Sequence, residues 1–294
     1  MRIRKFDPNN IKPHRIVFII GKRGTGKSVL QRDLMYHQSG RVDFGVAMSP
    51  TEEAIQTFQR HMPDAWIYRQ FQQDKIADII NVQRKTLKST KEPKSLFLVL
   101  DDCLYDKRIM RTREMRDIFM NGRHLKLSVS IACQYLLDLP PDLRAQIDYI
   151  IVTRDMILAN KMKLYKYFFG MFERYEDFAK TMDKCTENFG VLVMDNTVQS
   201  SNIEDCIFWY KARIDLPDFK MGKETYWRLA EKYNKTERDR ELEEHAKQQE
   251  AVEIAHAKRG RLPLVVHVAD ERGNLINGQS VLHNNDSSSR SIDI

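Results

Sequence analysis

The stretch that decides the fold reads Arg15-Ile-Val-Phe-Ile-Ile-Gly-Lys-Arg-Gly-Thr-Gly-Lys-Ser28. Its first six residues form a β-branched and aromatic run that is typical of a buried strand. Its last eight, Gly21–Ser28, fit the pattern G-x-x-x-x-G-K-[ST], and apolar residues follow at helical spacing. A glycine-rich turn between a strand and a helix points successive backbone N–H groups at a phosphate. The stretch therefore predicts a nucleoside-triphosphate site in an α/β protein.

All eight residues of this phosphate loop are predicted to contact the nucleotide: Gly21, Lys22, Arg23, Gly24, Thr25, Gly26, Lys27 and Ser28. A lysine at the seventh position of such a loop reaches the β- and γ-phosphates, which assigns that contact to Lys27. A hydroxyl group at the eighth position binds Mg²⁺, so Ser28 is a candidate metal ligand.

Two carboxylates follow the apolar run Ser95–Leu100. A magnesium–nucleotide site needs a carboxylate at the carboxyl end of a neighbouring strand, and Asp101 is predicted to hold Mg²⁺ directly or through water. Asp102 is placed to polarise the water that attacks the γ-phosphate. The pair therefore favours hydrolysis of the bound nucleotide.

Gln134 follows a further apolar run, Ser128–Cys133. If that strand lies between the phosphate-loop strand and the Asp101 strand, the amide of Gln134 points at the γ-phosphate and the attacking water. A role in sensing the γ-phosphate follows from that placement. The spacing alone leaves open that Gln134 only caps the next turn.

The overall composition excludes several classes of protein. Hydrophobic residues make up 42% of the 294 residues and charged residues 30%, which is enough for a packed core. No run of 18 apolar residues occurs, so membrane insertion is not expected. The four cysteines form no CxxC pair, which argues against a zinc ribbon and favours a reducing compartment. The net charge of +7 is compatible with a polyanionic partner.

The remaining chain is predicted to extend this α/β core. Strand-like runs alternate with helical segments, which favours a mostly parallel sheet sandwiched by helices. Phe189–Met194 and Ile207–Tyr210 could form an antiparallel edge of the same sheet. We expect one domain over residues 1–222, a charged helical extension over 223–262, and a short strand, a turn and a disordered tail over 263–294. The extension is either a solvated face or a partner-binding helix.

Four motifs together resemble the genome-packaging ATPases of large double-stranded DNA viruses, the poxvirus-like branch of the FtsK–HerA class of P-loop motors. They are the phosphate loop, Leu98-Val-Leu-Asp-Asp-Cys103, Asn121-Gly-Arg-His124, and Cys133-Gln-Tyr followed by Leu139-Pro-Pro-Asp-Leu-Arg144. The resemblance spans roughly residues 13–222. It implies a RecA-like P-loop NTPase fold of the ASCE type that binds ATP and Mg²⁺.

The resemblance also implies a homo-oligomeric ring that hydrolyses ATP to drive double-stranded DNA, without reading its sequence, into a preformed capsid. Capsid or portal components would be further partners. Gln134 matches the glutamine sensor of the family, and an arginine finger is expected from the neighbouring subunit. Arg123 is the first candidate for the finger and Arg144 the second, and either could instead be a surface or ion-pair arginine. One departure concerns Asp102, because many related motors carry glutamate there.

The basic segment Lys107–Arg123 is predicted to be helical. Its cationic side chains could meet DNA phosphates in a central channel: Lys107, Arg108, Arg111, Arg113 and Arg116. Arg108, Arg111 and Arg116 could share one helical face. A second cationic group consists of Lys161, Lys163 and Lys166.

Two other functions remain open at this point. A P-loop kinase would transfer the γ-phosphate to a small molecule or a nucleotide, with the basic segment as its lid. A nucleotide-controlled switch would use the charged extension to recruit a partner. Reduced cysteines and the resemblance together predict the host cytoplasm or a viral assembly site, and association with the virion is compatible with both.

Overall fold

The structure is a computed structural model that describes residues 1–89, 91–104, 106, 108–135, 139–232, 237–259, 266–267 and 292–293. The chain divides into two compact units, Met1–Asn234 and Lys235–Ile294.

The described residues of the first unit form nine strands and nine helices. The strands are β1 (Arg4–Lys5), β2 (Ile16–Ile20), β3 (Phe44–Met48), β4 (Ile67–Tyr68), β5 (Leu96–Asp101), β6 (Leu127–Cys133), β7 (Tyr149–Val152), β8 (Val191–Asp195) and β9 (Ile207–Tyr210). The helices are α1 (Lys27–Gln38), α2 (Glu52–Gln59), α3 (Gln73–Lys88), α4 (Arg113–Asn121), α5 (Pro141–Arg144), α6 (Leu158–Tyr167), α7 (Tyr175–Cys185), α8 (Ile203–Cys206) and α9 (Glu224–Lys232).

The nine strands form one sheet in the order β1-β9-β8-β7-β2-β6-β5-β3-β4. Neighbouring strands from β7 to β4 pair in parallel. Strand β8 pairs antiparallel with both β7 and β9, and β9 pairs in parallel with β1. Within this sheet β8 alone runs against the other strands. The mostly parallel α/β sheet predicted from the sequence is confirmed.

The strand order places the predicted site residues at one edge of the sheet. Strand β6 lies between β2 and β5, as the interpretation of Gln134 requires. Because the three strands are parallel, their carboxyl ends meet at the same edge. The phosphate loop, Asp101 and Gln134 therefore emerge side by side.

Alternating residues of β2 pack into different cores on the two faces of the sheet. Ile16, Phe18 and Ile20 pack on one face of β2, together with residues of α3, α4, α6 and α7. Val17 and Ile19 pack on the other face, where α1 covers the sheet. Strands that are buried on both faces read as continuous apolar runs, which explains why the sequence identifies them so clearly.

The antiparallel edge differs in one respect from the expectation. Strands β8 and β9 do extend the sheet, but the outermost strand on that side is β1, which the sequence analysis did not identify. A two-residue strand carries too little periodicity to be recognised. Phe6, directly after β1, anchors the segment because its backbone N–H donates to the carbonyl of Trp209 across 2.8 Å.

Two helical stretches of the charged segment after residue 222 lie within the described residues. Helix α9 belongs to the first unit, since Tyr226 is buried and its hydroxyl donates to the carbonyl of Gly45 across 2.5 Å. The second unit contains helix α10 (Glu237–Arg259), and β10 (Val266–His267) pairs in parallel with β11 (Ile292–Asp293). The rest of the predicted turn and tail over 263–294 lies outside the described residues. Among the described helices, none has the length and apolar character needed to span a membrane.

Candidate nucleotide site

The phosphate loop joins β2 to α1 at the carboxyl edge of the sheet. Its first residue, Gly21, donates from its backbone N–H to the carbonyl of Cys133 across 3.0 Å. A Cβ atom at Gly21 would lie 2.1 Å from Oγ1 of Thr153, so no larger residue fits there. Gly26 caps α1 with a φ of 88°, a conformation that favours glycine. The loop geometry therefore depends on glycine at both positions.

Lys27 is buried at the start of α1, with only 7% of its side chain exposed. Its Nζ lies 3.5 Å from the carbonyl oxygen of Lys22 and 3.7 Å from Oδ2 of Asp102. Ser28 follows in the first turn of α1 and is exposed. The ammonium group thus lies between the loop backbone and the strand that carries the aspartates, where charge on a γ-phosphate would be neutralised.

Two contacts from the segment after β7 hold the loop in place. The hydroxyl of Thr153 donates to Oγ1 of Thr25 across 2.8 Å, and Nζ of Lys22 lies 2.9 Å from Oδ1 of Asp155. Burial acts to raise the pKa of Asp155, but the backbone N–H of Ile157 and the Lys22 ammonium outweigh it and lower that pKa. Asp155 is therefore a charged anchor for the loop.

Asp101 ends β5 and is 4% exposed. Its Oδ2 accepts a hydrogen bond of 3.2 Å from the hydroxyl of Ser49, a fully buried residue directly after β3. Burial, reinforced by the negative charge of Asp102, raises the pKa of Asp101 to about 6. A cation beside this carboxylate would favour its ionised form.

Asp102 adopts a left-handed backbone conformation, with a φ of 48°. Its backbone N–H donates to the carbonyl of Ala132 across 3.0 Å, which extends the pairing of β5 with β6 by one residue. The Oδ2 atom accepts a hydrogen bond of 2.9 Å from Nε2 of Gln134. The Oδ1 atom is buried and has no hydrogen-bond partner within the described part of the chain. One acceptor is thus left for the O–H of a bound water.

The donor set fits a magnesium ion bound together with a nucleotide. Mg²⁺ in such sites takes one or two protein oxygens, and phosphate and water oxygens complete its coordination. The carboxylate of Asp101 and the hydroxyl of Ser28 lie at the same edge of the sheet and supply those oxygens. Among the described residues no cluster of three or more histidine, cysteine, aspartate or glutamate side chains could hold a metal by itself. The ion would therefore depend on the phosphates.

The two arginines considered as trans fingers lie in different surroundings. Arg123 follows α4 at the amino edge of the sheet, and its Nη2 donates to Oδ1 of Asp148 across 2.8 Å while 57% of its side chain stays exposed. Arg144 ends α5, and its guanidinium lies 4.0 Å above the ring of Tyr167. Within the described residues neither arginine contacts the phosphate loop of its own chain, and the assignment of a finger from a neighbour stays a prediction.

The basic segment is not the single helix that the sequence predicted. Ile109–Arg111 forms a short 3₁₀ turn, and α4 begins after Thr112, whose hydroxyl accepts the backbone N–H of Met115 across 3.4 Å. The expectation of one helical face for Arg108, Arg111 and Arg116 is therefore wrong. Arg111 and Arg116 nevertheless line one open cleft with Arg144. Lys107 lies outside the described residues.

The lysines of the second cationic group, on α6, differ in exposure. Lys161 is 8% exposed and its Nζ pairs with Oδ1 of Asp183 at 2.5 Å, so it is part of the packing of α6 on α7. The expectation that Lys161 contacts DNA is therefore wrong. Lys163 and Lys166 are exposed on α6, and Arg111 and Arg113 are exposed beside α4.

Sequence reasoning missed the residues that position the site. Ser49, Thr153 and Asp155 all follow strands, β3 for the first and β7 for the other two, at the carboxyl edge of the sheet. A polar residue directly after a buried strand was a signal that could have found Ser49 and Thr153, as it found Gln134. Asp155 lies two residues beyond Thr153, and this signal does not reach it.

Comparison with known proteins identifies relatives of the chain. Residues 4–209 match the family described as Poxvirus A32 protein. An uncharacterized protein of Acanthamoeba polyphaga mimivirus is 33% identical over 248 residues, which cover 81% of this chain and 86% of that protein. An uncharacterized protein of Invertebrate iridescent virus 3 is 32% identical over 209 residues, covering 70% and 80% of the two chains.

Among solved structures, the genome packaging NTPase B204 from Sulfolobus turreted icosahedral virus 2 in complex with AMPPCP aligns with a TM-score of 0.49 and 15% identity. The alignment covers 69% of this chain and 100% of that one. The family match covers most of the chain and includes the phosphate loop, both aspartates and Gln134. The chain belongs to the poxvirus A32 protein family of viral genome-packaging ATPases, the family that its sequence motifs resemble.

Proposed function

We propose that the chain is one subunit of a homo-oligomeric ring that hydrolyses ATP to drive double-stranded viral DNA into a preformed capsid. The observation that carries the proposal is the meeting of Lys27, Asp102 and Gln134 at one edge of the sheet. A site that places a cation, a carboxylate and an amide together suits attack by water on a γ-phosphate.

In the proposed reaction Lys27 binds the β- and γ-phosphate oxygens and neutralises the charge that develops on them. Asp102 accepts a hydrogen bond from the attacking water, and Gln134 holds both the carboxylate and that water in position. The water oxygen forms a bond to the γ-phosphorus while the bond to the bridging oxygen breaks. The water loses a proton to Asp102, which releases it to solvent, and ADP and phosphate leave. Mg²⁺, held by Ser28 and Asp101, would supply charge neutralisation for the phosphates.

A finger from a neighbouring subunit would complete the site. Arg123 lies at the amino end of β6, and the seven residues of that strand separate it from Gln134. Seven strand residues span about 20 Å, so Arg123 cannot reach the nucleotide of its own chain. A ring in which the amino edge of one sheet faces the carboxyl edge of the next would bring Arg123 to a γ-phosphate. Arg144 is the alternative, from the surface that carries Tyr167.

The exposed cationic side chains beside α4 are the proposed contacts to DNA. Arg111 and Arg113 are exposed, and within the described residues neither forms an ion pair. Arg108 and Arg116 are exposed too, but they pair with Asp106 and Asp142. Arginines that neutralise phosphates bind DNA without reading its sequence, and such binding weakens steeply with salt.

Steady-state ATP hydrolysis with and without long linear duplex DNA tests the proposal. We expect duplex DNA to stimulate hydrolysis, and Lys27→Ala to reduce the rate by about 100-fold or more. Lys180→Ala, which changes an exposed lysine on α7, is the matched control and should leave the rate unchanged. If DNA leaves the rate unchanged, and a small phosphate acceptor raises the rate and becomes phosphorylated, the protein is a kinase and not a DNA motor.

The DNA contacts need a separate measurement. Arg111→Ala combined with Arg113→Ala should remove most of the stimulation by DNA while the basal rate stays within about twofold, because neither residue contacts the phosphate loop. The salt dependence of DNA binding should become shallower by about one unit of logarithmic slope for each DNA phosphate that the variant no longer binds. Lys163→Ala combined with Lys166→Ala on α6 tests the second cationic group. If only this second pair removes stimulation, DNA contacts α6 instead.

A further inference from the structure

An exposed phenylalanine lies beside the phosphate loop. Phe189 exposes 67% of its surface, although it immediately precedes Gly190 and the buried strand β8. Its Cδ1 atom would lie 3.6 Å from a Cβ atom at Gly26, so the ring stands next to the residue that caps α1. This large apolar side chain is therefore exposed to solvent beside the N-terminus of α1, where the phosphates of a nucleotide would bind.

The backbone that presents Phe189 is strained. Asn188 has φ and ψ of 50° and 47°, and Phe189 has a φ of 62°. Asparagine tolerates the left-handed region, but a bulky residue such as phenylalanine rarely adopts it. Strain of this kind persists only where the surrounding structure holds it, and it concentrates at ligand sites.

Both ends of the strained turn are fixed. The buried hydroxyl of Thr186 donates to the carbonyl of Met182 across 2.7 Å, and the backbone N–H of Gly190 donates to the carbonyl of Glu187 across 2.8 Å. A Cβ atom at Gly190 would lie 2.3 Å from the carbonyl oxygen of Cys185, so the chain approaches α7 closely there. The turn is therefore built to hold the Phe189 ring outward, and packing of that ring into a core does not explain it.

A second apolar side chain is exposed at the start of α1. Val29 is 37% exposed in the first turn of the helix. It follows Gly26 by three residues, and residues three apart are neighbours on one helix face. The Phe189 ring lies beside Gly26, and the spacing places the Val29 side chain near the same residue.

We propose that Phe189 stacks on the base of the nucleoside triphosphate whose phosphates the loop holds, with Val29 as the neighbouring apolar contact. The inference rests on the proposed function, because it concerns the same nucleotide. Every nucleobase presents a π face, so stacking adds affinity without distinguishing adenine from guanine. The contact assigns Phe189 to binding and gives it no part in the chemical step.

Binding of ATP, GTP and inorganic tripolyphosphate to the full chain tests this inference. Phe189→Ala should weaken ATP and GTP binding about 5- to 100-fold. Tripolyphosphate has no base, so its dissociation constant should change less than twofold. Phe189→Tyr keeps a ring and should bind ATP within about twofold of the wild type. Phe189→Gly suits the positive φ and should also lose ATP affinity in a chain that stays folded.

The outcomes separate this inference from the proposed function. Lys27→Ala should weaken ATP and tripolyphosphate alike, which identifies the phosphate contacts. Unchanged ATP binding by Phe189→Ala, or equal losses for ATP and tripolyphosphate in both the alanine and glycine variants, would overturn the base contact alone. A wild-type chain that binds neither ATP nor tripolyphosphate would overturn the proposed ATPase site and this inference with it.

Discussion

Gln134 donates a hydrogen bond of 2.9 Å from Nε2 to Oδ2 of Asp102. The residue that follows β6 is thereby joined to the residue that follows β5, and Lys27 lies 3.7 Å from the same oxygen. In the proposed reaction the γ-phosphate and the attacking water bind among these three side chains. The hydrogen bond fixes the position of the Gln134 amide and of the Asp102 carboxylate relative to each other.

We expect Gln134→Ala to lower kcat for ATP about 10- to 100-fold while KM changes less than threefold. In the proposed reaction the amide orients Asp102 and the attacking water, and within the described part of the chain it forms no hydrogen bond with the loop that binds the phosphates. Steady-state kinetics would measure both constants. Gln56→Ala, an exposed glutamine on α2, is the matched control. A rise in KM at constant kcat would place Gln134 in ground-state binding instead.

Asp101→Asn is expected to stabilise the nucleotide-free protein while abolishing magnesium-dependent hydrolysis. Burial raises the pKa of Asp101 from its ordinary 3.8 to about 6, so the folded state retains a proton that the unfolded chain loses. Wild-type stability therefore falls as pH rises from about 4 to about 6, by about 3 kcal/mol, and stays level above that range. Asparagine does not ionise and avoids this loss.

Urea denaturation at pH 4, 5, 6 and 7.5 would measure the difference between the two proteins. The advantage of Asp101→Asn should grow through this series and reach a plateau near pH 6. Asp215→Asn removes an exposed carboxylate and serves as the control, with a free energy of unfolding close to the wild type at every pH. An advantage that does not depend on pH would mean that Asp101 ionises normally in the folded protein.

Gly21→Ala should lower both stability and nucleotide affinity. The added Cβ atom would lie 2.1 Å from Oγ1 of Thr153 and 2.9 Å from Oγ1 of Thr25, so the loop or β7 must shift. Overpacking of this kind costs about 1–3 kcal/mol in the free energy of unfolding. Gly40→Ala is the matched control because a Cβ atom there meets nothing within 4 Å. Thermal unfolding and ATP titration would compare the two, and equal effects would show that the loop tolerates alanine.

The sequence was sufficient to predict the central strands of the sheet and to place the phosphate loop, Asp101 and Gln134 at their carboxyl ends. Strands β2 and β5 are buried on both faces and appear as unbroken apolar runs, whereas β6 is equally buried but carries Ser128 and Ser130 between its apolar residues. Each of the three strands leads to a predicted site residue. The order of the strands could not be derived from those runs, since parallel pairing leaves no mark in the sequence of either strand. The predicted role of Gln134 requires that β6 lie between β2 and β5. The sequence could not show this strand order, and the fold shows it.

Contacts between distant segments were beyond prediction for a different reason. Lys22 pairs with Asp155, and Arg123 pairs with Asp148, across separations that no local pattern encodes. The break of the basic segment at Thr112 was readable, since a threonine before an acidic first turn is a common helix N-cap. It was missed because the high density of arginine suggested a continuous charged helix.

Substitution of the two candidate arginines separates a trans finger from a structural arginine. Arg123→Ala leaves Asp148, which is 6% exposed, with Arg15 at 3.3 Å as its remaining cation. Because Arg123 itself is largely exposed, the loss should cost only about 1–2 kcal/mol in the free energy of unfolding. Arg144→Ala removes a cation–π contact with Tyr167 and should cost about 0.5–1 kcal/mol.

Mixing each variant with wild-type subunits gives the test of function. A subunit that lacks the finger disables the site of its neighbour, so Arg123→Ala should depress the ATPase rate of the mixture below the average expected from the two proteins. Arg123→Lys keeps a cation beside Asp148 but loses the planar fork that stabilises a leaving phosphate, so it should also depress the rate at near wild-type stability. If Arg144→Ala depresses the mixture and Arg123→Ala only dilutes it, the finger is Arg144, and the pair between Arg123 and Asp148 serves to fix the amino edge of the sheet.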